Sequence, residues 1–334
     1  MDSICHSRDG YVTNTAFPWH SAQWSLVRKQ FANDRRPHAM LLTGPADLGK
    51  REFATKLAAF LLCSQPSEHE QCYNCAQCHL LQAGTHPDYR YVEPEDSKLI
   101  KIEQIRELNG WLVQTSQQGG EKIAVIYPAE KMNNQSANAL LKSLEEPTPN
   151  TLFILVSDQP SRLLPTIRSR CQSFPFTPPD VASALTWLEQ NAEIRLDLRQ
   201  ALSLAGGSPL KVKRDIDDDF LSRRNEVVSM LDSLVAHNIP ALAAAAGLQK
   251  QDPREVIQIL LSLINDATKI CLGAEVEAII NQDHLDVVKR LAKPGETFLF
   301  SACDQLLTAI REVESSANPN PQLLIESIMI KLAV

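Results

Sequence analysis

Short apolar runs alternate with amphipathic stretches in the first half of the chain. Three runs, Ala39–Thr43, Ile123–Tyr127 and Thr151–Ser157, have the length and apolar content of buried strands. Between the last two lies Lys131–Glu146, whose apolar residues follow helical spacing and which stops before Pro147. A strand, a helix and a strand in this order predict parallel neighbours in a doubly wound α/β sheet.

The second half of the chain shows helical spacing of apolar residues throughout. One stretch, Arg254–Leu272, is apolar on much of its circumference, so it needs neighbours on several sides. Those neighbours belong either to other subunits or to the same helical bundle, and the sequence leaves both interpretations open. The predicted helices are Val181–Gln190, Leu196–Ala205, Glu226–Ala236, Pro240–Leu248, Arg254–Leu272, Val276–Leu291, Phe298–Ser315 and Pro321–Leu332.

Three changes in composition suggest domain boundaries. Residues 1–16 are polar and without periodicity, which predicts a disordered extension to which we attach no function. The proline-rich run Phe174–Pro179 is typical of a linker, and the acidic run Asp215–Asp219 is typical of a solvated turn. The predicted domains are an α/β domain at 17–177, a small helical lid at 178–213 and an all-helical domain at 214–334.

The first predicted strand leads into a phosphate-loop pattern. Gly44, Gly49 and Lys50 have the G-x-x-x-x-G-K spacing, and a helical pattern follows them. In an active loop the backbone N–H groups hold phosphate, the lysine reaches the outer phosphates and a following Ser or Thr binds Mg²⁺. Here the following residue is Arg51, which has no acceptor lone pair and is positively charged, so it cannot be a magnesium ligand.

The second half of a nucleotide-hydrolysing site is also missing. Hydrolases place acidic residues at the end of the strand that here ends at Tyr127, where they hold the metal ion and orient the water. This chain has Tyr127 and Pro128. We therefore predict no ATP hydrolysis by this chain. Nucleotide binding without turnover at Gly44, Gly49 and Lys50 is not expected but stays open, as does a simple glycine turn.

Half of the cysteines of the chain form a cluster. The spacing C-x8-C-x2-C-x2-C supplies four thiolates, a complete tetrahedral set for structural zinc. Disulfides are disfavoured because the first thirty residues contain no apolar signal segment. An iron–sulfur cluster is the sharper alternative, but its usual run would place Cys and Pro where Gln82 and Ala83 stand. We predict one structural Zn²⁺ bound by Cys63, Cys72, Cys75 and Cys78.

Charge and hydropathy exclude other classes of protein. A net charge of -7 argues against a protein that binds nucleic acid on its own, because such affinity depends on neutralising phosphates. A zinc-module DNA-binding protein would need a basic face, whereas Cys63–Cys78 contains no Lys or Arg. No apolar stretch approaches the roughly 18 to 20 residues of a membrane span. We expect a soluble, cytoplasmic protein with reduced cysteines.

Two longer motifs, Asn138–Pro147 (NALLKSLEEP) and Thr166–Cys171 (TIRSRC), together with the cysteine cluster, resemble the AAA+ clamp-loader subunits of bacterial replication. The resemblance covers residues 17 to 334 in order. It implies an AAA+ (RecA-like) domain with an inserted zinc module at 63–78, a helical lid, and a collar domain that holds a five-membered ring together.

The resemblance also implies a role for one arginine. In this family the arginine of the Ser169-Arg170-Cys171 motif projects toward the nucleotide of a neighbouring subunit and acts as an arginine finger in trans. Arg168 is the nearer competitor for this role, at a position where family members vary. The substitutions at Arg51, Tyr127 and Pro128 resemble a non-hydrolysing member better than the ATP-hydrolysing gamma or tau subunit. An active AAA+ motor subunit is the alternative.

The implied partners are the gamma/tau and delta subunits of the clamp loader, with the beta sliding clamp and primed DNA contacted through the hetero-oligomeric complex. The resemblance implies no intrinsic enzymatic activity. A DNA-directed DNA polymerase label would belong to the holoenzyme of which the chain is a subunit.

Overall fold

The computed structural model describes residues 17–32, 36–67, 70–192, 197–216, 218–314 and 320–333. The predicted extension at 1–16 lies outside the described residues. The chain divides into two compact units, Met1–Ser183 and Ala184–Val334. Within the described residues, no helix has the length and apolar character that a membrane crossing requires.

The described part of the first unit contains one parallel, five-stranded sheet with the order β2-β3-β4-β1-β5. Every residue of β3 and β4 is buried, as expected of strands covered on both faces. The predicted parallel α/β sheet is confirmed. The strands are β1 Ala39–Thr43, β2 Tyr89–Val92, β3 Lys122–Ile126, β4 Thr151–Ser157 and β5 Gln172–Pro175.

Helices cover both faces of this sheet. Alternate residues of β1 point to opposite faces, so Met40 packs with α1 and α2 while Leu41 packs with α4 and α5. Thr43 of β1 is level with Ser157 of β4, so the loops that follow these strands meet at one edge of the sheet. The helices are α1 Ser21–Ala32, α2 Lys50–Leu62, α3 Ala76–Gln82, α4 Ile102–Leu112, α5 Asn134–Glu145 and α6 Pro165–Arg168.

The predicted linker Phe174–Pro179 begins later than expected. Phe174 and Pro175 belong to β5, which lies at the edge of the sheet beside β1. An edge strand tolerates proline because one side of it needs no ladder hydrogen bond. The Pro175 carbonyl accepts a hydrogen bond from Gln23 Nε2 at 2.9 Å.

The second unit is helical in its described part. Its largest core joins α10 to α15, and α12 is covered by α10, α13 and α14 of the same unit. The wide apolar face of α12 is therefore buried largely by helices of its own unit. The helices are α7 Val181–Asn191 (beginning in the first unit), α8 Leu198–Leu204, α9 Pro209–Asp215, α10 Asp218–Val235, α11 Ala241–Gly247, α12 Pro253–Cys271, α13 Leu285–Ala292, α14 Glu296–Glu314 and α15 Pro321–Leu332.

The prediction of one helix over Val276–Leu291 is wrong in its first half, where two 3-10 turns precede α13. The buried carboxylate of Asp266 on α12 causes the difference. Its Oδ2 accepts hydrogen bonds from the backbone N–H groups of Ile280 at 2.9 Å and Asn281 at 2.8 Å. A side chain on another helix thus takes the donors that a continuous helix would have used.

A buried arginine extends this polar network. Arg224 of α10 donates from Nη1 and Nη2 to the two carboxylate oxygens of Asp283, at 2.6 and 2.9 Å. Its Nη2 also donates to Asn281 Oδ1 at 2.8 Å. Burial alone would raise the pKa of Asp283, but the bonds to Arg224 lower it below its ordinary value. Arg224 therefore fixes the irregular segment before α13 against α10.

We predict that Arg224→Met destabilises the protein by about 3 kcal/mol, because it leaves the Asp283 carboxylate and the Asn281 amide without their partner. Arg223→Ala is the matched control: its ion pair with Glu255 is partly exposed and contributes at most about 1 kcal/mol. Urea unfolding followed by far-ultraviolet circular dichroism measures both. Equal shifts of the two midpoints would contradict this role for Arg224.

Candidate functional site

The two glycines of the phosphate loop are required by packing. Gly44 has φ +143°, and a Cβ there would lie 2.1 Å from the carbonyl oxygen of Phe176. Gly49 has φ +80°, and a Cβ there would lie 2.5 Å from the ring of Phe17. Neither position accepts a side chain without backbone or ring movement. The glycine spacing is therefore explained by the fold, whether or not a phosphate binds.

The lysine of the loop is held by groups of its own chain. Lys50 is only 2% exposed, and its Nζ forms an ion pair with Asp158 Oδ1 at 2.6 Å. The same nitrogen donates to the carbonyl of Pro45. Asp158 directly follows Ser157, the last residue of β4, so the parallel pairing of β1 and β4 brings the carboxylate to the loop. A phosphate bound by Lys50 would compete with this carboxylate for the same ammonium group.

A cation occupies the neighbourhood where a magnesium ligand would be needed. The guanidinium of Arg51 lies over the rings of Tyr91 and Tyr127, 5.5 and 5.8 Å from their centroids. Its Nη2 is 3.9 Å from Glu93 Oε2. Burial alone would lower the pKa of Arg51, but Tyr91 and Glu93 raise it, so the group stays charged. The local charge thus opposes a metal ion.

An aromatic cover lies over the loop, formed by Phe17, Trp19 and His20. Trp19 Nε1 donates to the carbonyl of Leu48 at 3.0 Å, and His20 Nε2 lies 2.8 Å from the same oxygen. The rings of Phe17 and Trp19 stack with centroids 5.0 Å apart. This segment precedes α1, and it fixes the conformation of the loop from outside the sheet.

The predicted arginine finger lies apart from this loop, after α6. Arg170 Nη2 forms an ion pair with Glu145 Oε1 at 2.5 Å, and Nη1 donates to the carbonyl of Thr166 at 2.9 Å. Ser169 Oγ donates to the same carbonyl at 3.0 Å. The side chain of Arg170 is 34% exposed. Its guanidinium is held in one orientation while remaining accessible to a charged group from outside.

The four cysteines of the predicted metal site come together between α2 and α3. Their sulfur atoms all lie within 4.8 Å of one another, and close pairs are 3.5 to 3.9 Å apart. A tetrahedron of sulfurs around a metal at 2.3 Å has edges of about 3.8 Å. The described residues therefore contain a complete set of thiolate ligands that could hold a metal ion.

Backbone donors support the negative charge that such ligands carry. The N–H groups of Gln65 and Cys72 point at Cys63 Sγ, at 3.4 and 3.2 Å, and the N–H of Cys75 points at Cys72 Sγ at 3.3 Å. Burial alone would raise the pKa of the Cys75 thiol, but backbone N–H groups, with that of Cys78 first, lower it to about 5. Burial raises the pKa of Cys78. These donors are the outer support typical of a thiolate metal site.

Comparison with known proteins gives a consistent result along the chain. The family model described as DNA polymerase III, delta subunit, matches residues 19–180, and the model for the C terminal of the delta subunit matches residues 218–333. DNA polymerase III subunit delta' of Pseudomonas aeruginosa is 39% identical over 95% of this chain and 97% of its own length. This chain belongs to the delta-prime family of DNA polymerase III subunits.

Other members of the delta-prime family agree. The Yersinia pestis protein is 34% identical over 92% of this chain and 93% of its own, and the Escherichia coli K12 protein is 31% identical over 95% of each. A solved gamma subunit-related protein of Thermotoga maritima is 18% identical over 92% of this chain and 98% of its own, with a TM-score of 0.41. Family membership confirms the resemblance seen in the motifs, and the parallel sheet followed by a helical region agrees with the predicted order of elements.

Several residues of this delta-prime chain that shape the site were missed by sequence reasoning. Asp158 was missed because a lone carboxylate after a strand carries no signal until its partner is known, and Glu145 was named only as part of the NALLKSLEEP motif. The aromatic cover left a signal that could have been used, since three aromatic rings stand within the four residues Phe17–His20. Such a cluster directly before the first helix indicates a packed segment.

We predict that acidification loosens the aromatic cover. Burial lowers the pKa of His20 to about 4, from 6.5. The folded state excludes a proton that the unfolded state accepts. The contribution of His20 to the free energy of unfolding is therefore fully present above pH 6.5. It is lost as the pH falls toward about 4, with a slope of at most about 1.4 kcal/mol per pH unit.

The variant His20→Gln tests this dependence, since glutamine can still donate to the Leu48 carbonyl but does not titrate. Urea unfolding between pH 7 and about 4 should show a weaker loss of stability in the variant than in the native chain. An identical pH dependence of both proteins would show that His20 does not carry it.

Proposed function

We propose that this chain is a non-hydrolysing stator subunit of the DNA polymerase III clamp loader, and that it supplies Arg170 to the ATP site of an adjacent gamma or tau subunit. The observation that carries the proposal is the contrast between two sites. The loop that would bind nucleotide is filled by side chains of its own chain, whereas Arg170 is fixed and partly exposed.

The phosphate loop of this chain supports the proposed absence of ATP turnover. A phosphate at Lys50 would compete with the ion pair to Asp158, and its negative charge would lie beside that carboxylate. Arg51 places positive charge beside the metal position, and neither Tyr127 nor Pro128 supplies the carboxylate that would hold magnesium and activate the water. ATP binding by this chain is therefore not expected, and hydrolysis still less.

The chemistry of Arg170 suits a transferring phosphoryl group. The negative charge of the transition state spreads over three equatorial oxygens, and a planar guanidinium can donate to two of them at once. Such a finger accelerates the reaction by about 10³ to 10⁵. The phosphate loop, the metal ion and the attacking water are supplied by the neighbouring subunit, since this chain lacks the groups that hold them.

The proposed partners are the gamma/tau and delta subunits in a hetero-oligomeric ring in the cytoplasm. ATP binding at the neighbours lets the ring open the beta sliding clamp and place it on primed DNA. A net charge of -7 is consistent with DNA contact that is shared with partner subunits. Polymerase activity belongs to the holoenzyme.

For the cysteine set we propose one structural Zn²⁺, bound by Cys63, Cys72, Cys75 and Cys78. Four sulfurs at tetrahedral spacing leave no open position for water, so the ion stabilises the fold and has no catalytic role. The site connects the end of α2 to the start of α3. A second contact in the same segment, Lys56 Nζ to Glu70 Oε1 at 2.7 Å, ties it to α2.

We predict that Arg170→Ala slows one ATP site of the reconstituted clamp loader by about 10³-fold or more, because the transition state there loses its guanidinium. The measurement is pre-steady-state hydrolysis in the presence of clamp and primed DNA. The ATP site that Arg170 serves should appear as a separate slow phase of hydrolysis. The chain alone should show no hydrolysis.

The matched control is Arg168→Ala. Arg168 is exposed, lies two residues away, and forms no salt bridge within the part of the chain that the structure describes. Gel filtration confirms that all rings assemble equally. Hydrolysis phases that are unchanged by Arg170→Ala would refute the role of Arg170 as an arginine finger. ATP turnover by the chain alone would favour the alternative, an active motor subunit.

We predict one zinc per chain and its loss in Cys75→Ser, because three thiolates do not complete the tetrahedral set. The control is Cys303→Ser, which removes a cysteine on α14 far from the cluster in sequence. Metal analysis by plasma mass spectrometry measures the content of each protein after purification without chelators. Iron with visible absorption would contradict the assignment to zinc.

A further inference from the structure

The contact between Arg170 and Glu145 joins two motifs that are separated in the sequence. Glu145 is the last residue of α5, within the NALLKSLEEP motif, and Arg170 belongs to the TIRSRC motif. Their side chains meet at 2.5 Å, from Nη2 to Oε1. A surface arginine has many alternative conformations, so a fixed carboxylate beside it restricts where its guanidinium can lie.

The position of Glu145 is fixed by the packing of α5. The helix begins at Asn134 and is capped by Asn133, whose side chain accepts from the N–H of Ser136 at 2.8 Å. Leu140 and Leu144 are buried against the sheet. Ser143 Oγ donates at 2.8 Å to Asn109 of α4, which ties the last turn to a second helix. Glu145 therefore projects from a rigid support.

The other anchor of Arg170 is equally fixed. The Thr166 carbonyl that accepts from Nη1 belongs to α6, and Ile167 of that helix is fully buried. The two terminal nitrogens of the guanidinium are thus held by groups on two different helices. A guanidinium has five N–H donors, so these contacts leave others for the oxygens of a phosphate.

The exposure of the pair indicates that folding is not its main role. The side chains of Arg170 and Glu145 are 34% and 49% exposed, and an ion pair so accessible to water contributes little to stability. Arranging a charged group before its reaction partner arrives raises the rate, because no reorganisation is needed at the moment of reaction.

We infer that Glu145 is a positioning residue for Arg170: it holds the guanidinium in the orientation in which it meets the phosphoryl group bound by the neighbouring subunit. This inference rests on the proposed function of Arg170. Glu145 acts through Arg170, the residue that its carboxylate contacts. Its effect is confined to the rate at the one ATP site that Arg170 serves.

The test is a double-mutant cycle in the reconstituted clamp loader with clamp and primed DNA, followed by pre-steady-state hydrolysis. Glu145→Gln keeps the shape of the side chain and removes its charge. It should slow the phase of the affected site about three- to fivefold, the range that an exposed ion pair can supply, with the KM for ATP unchanged. In the Arg170→Ala background the same change should have no further effect.

The control is Glu146→Gln, at the next residue, which is exposed and has no salt bridge among the described residues. An unchanged or faster hydrolysis phase with Glu145→Gln would overturn the inference. A faster phase would mean that the ion pair with Glu145 holds Arg170 back from the neighbouring nucleotide. Equal slowing in the Arg170→Ala background would also overturn it. If Arg170→Ala has no effect, the finger itself fails, which is a distinct outcome.

Discussion

The ion pair between Lys50 and Asp158 is the interaction on which the conformation of the phosphate loop in the first unit depends. The parallel register of β1 and β4 brings the two residues together, and burial makes their separation costly. The pair places an internal anion where an active loop would accept a phosphate. Under the proposed function, the α/β domain then serves as a support for groups elsewhere on its surface.

Those groups are presented by elements that the sheet holds in place. Arg170 follows α6 and Glu145 ends α5, and α5 packs on the sheet face opposite to α2. An active ATPase of this type would carry two roles at once, and under the proposed function this chain keeps only one of them, the arginine offered to a neighbour. Arg51 adds a positive charge where a metal ion would be needed.

Much of this arrangement could be predicted from the sequence, and the failures have physical causes. Buried strands such as Thr151–Ser157 were predicted with their correct bounds because their apolar runs are short and continuous. The region before α13 was mispredicted because the carboxylate of Asp266, distant in sequence, takes its backbone donors. The partners of Glu145 and Asp158 were missed for a similar reason, since only the fold shows which cation each carboxylate meets.

The packing around Gly44 and Gly49 has an evolutionary consequence. A Cβ at either position collides with Phe176 or with Phe17, so a substitution there harms folding whether or not a nucleotide is ever bound. Selection for a folded chain alone would therefore preserve the glycine spacing even in a chain that hydrolysed no nucleotide. A lineage can lose its metal ligands one by one and still display the signature of an ATPase, so the signature dates the ancestry of the domain and says little about its present chemistry.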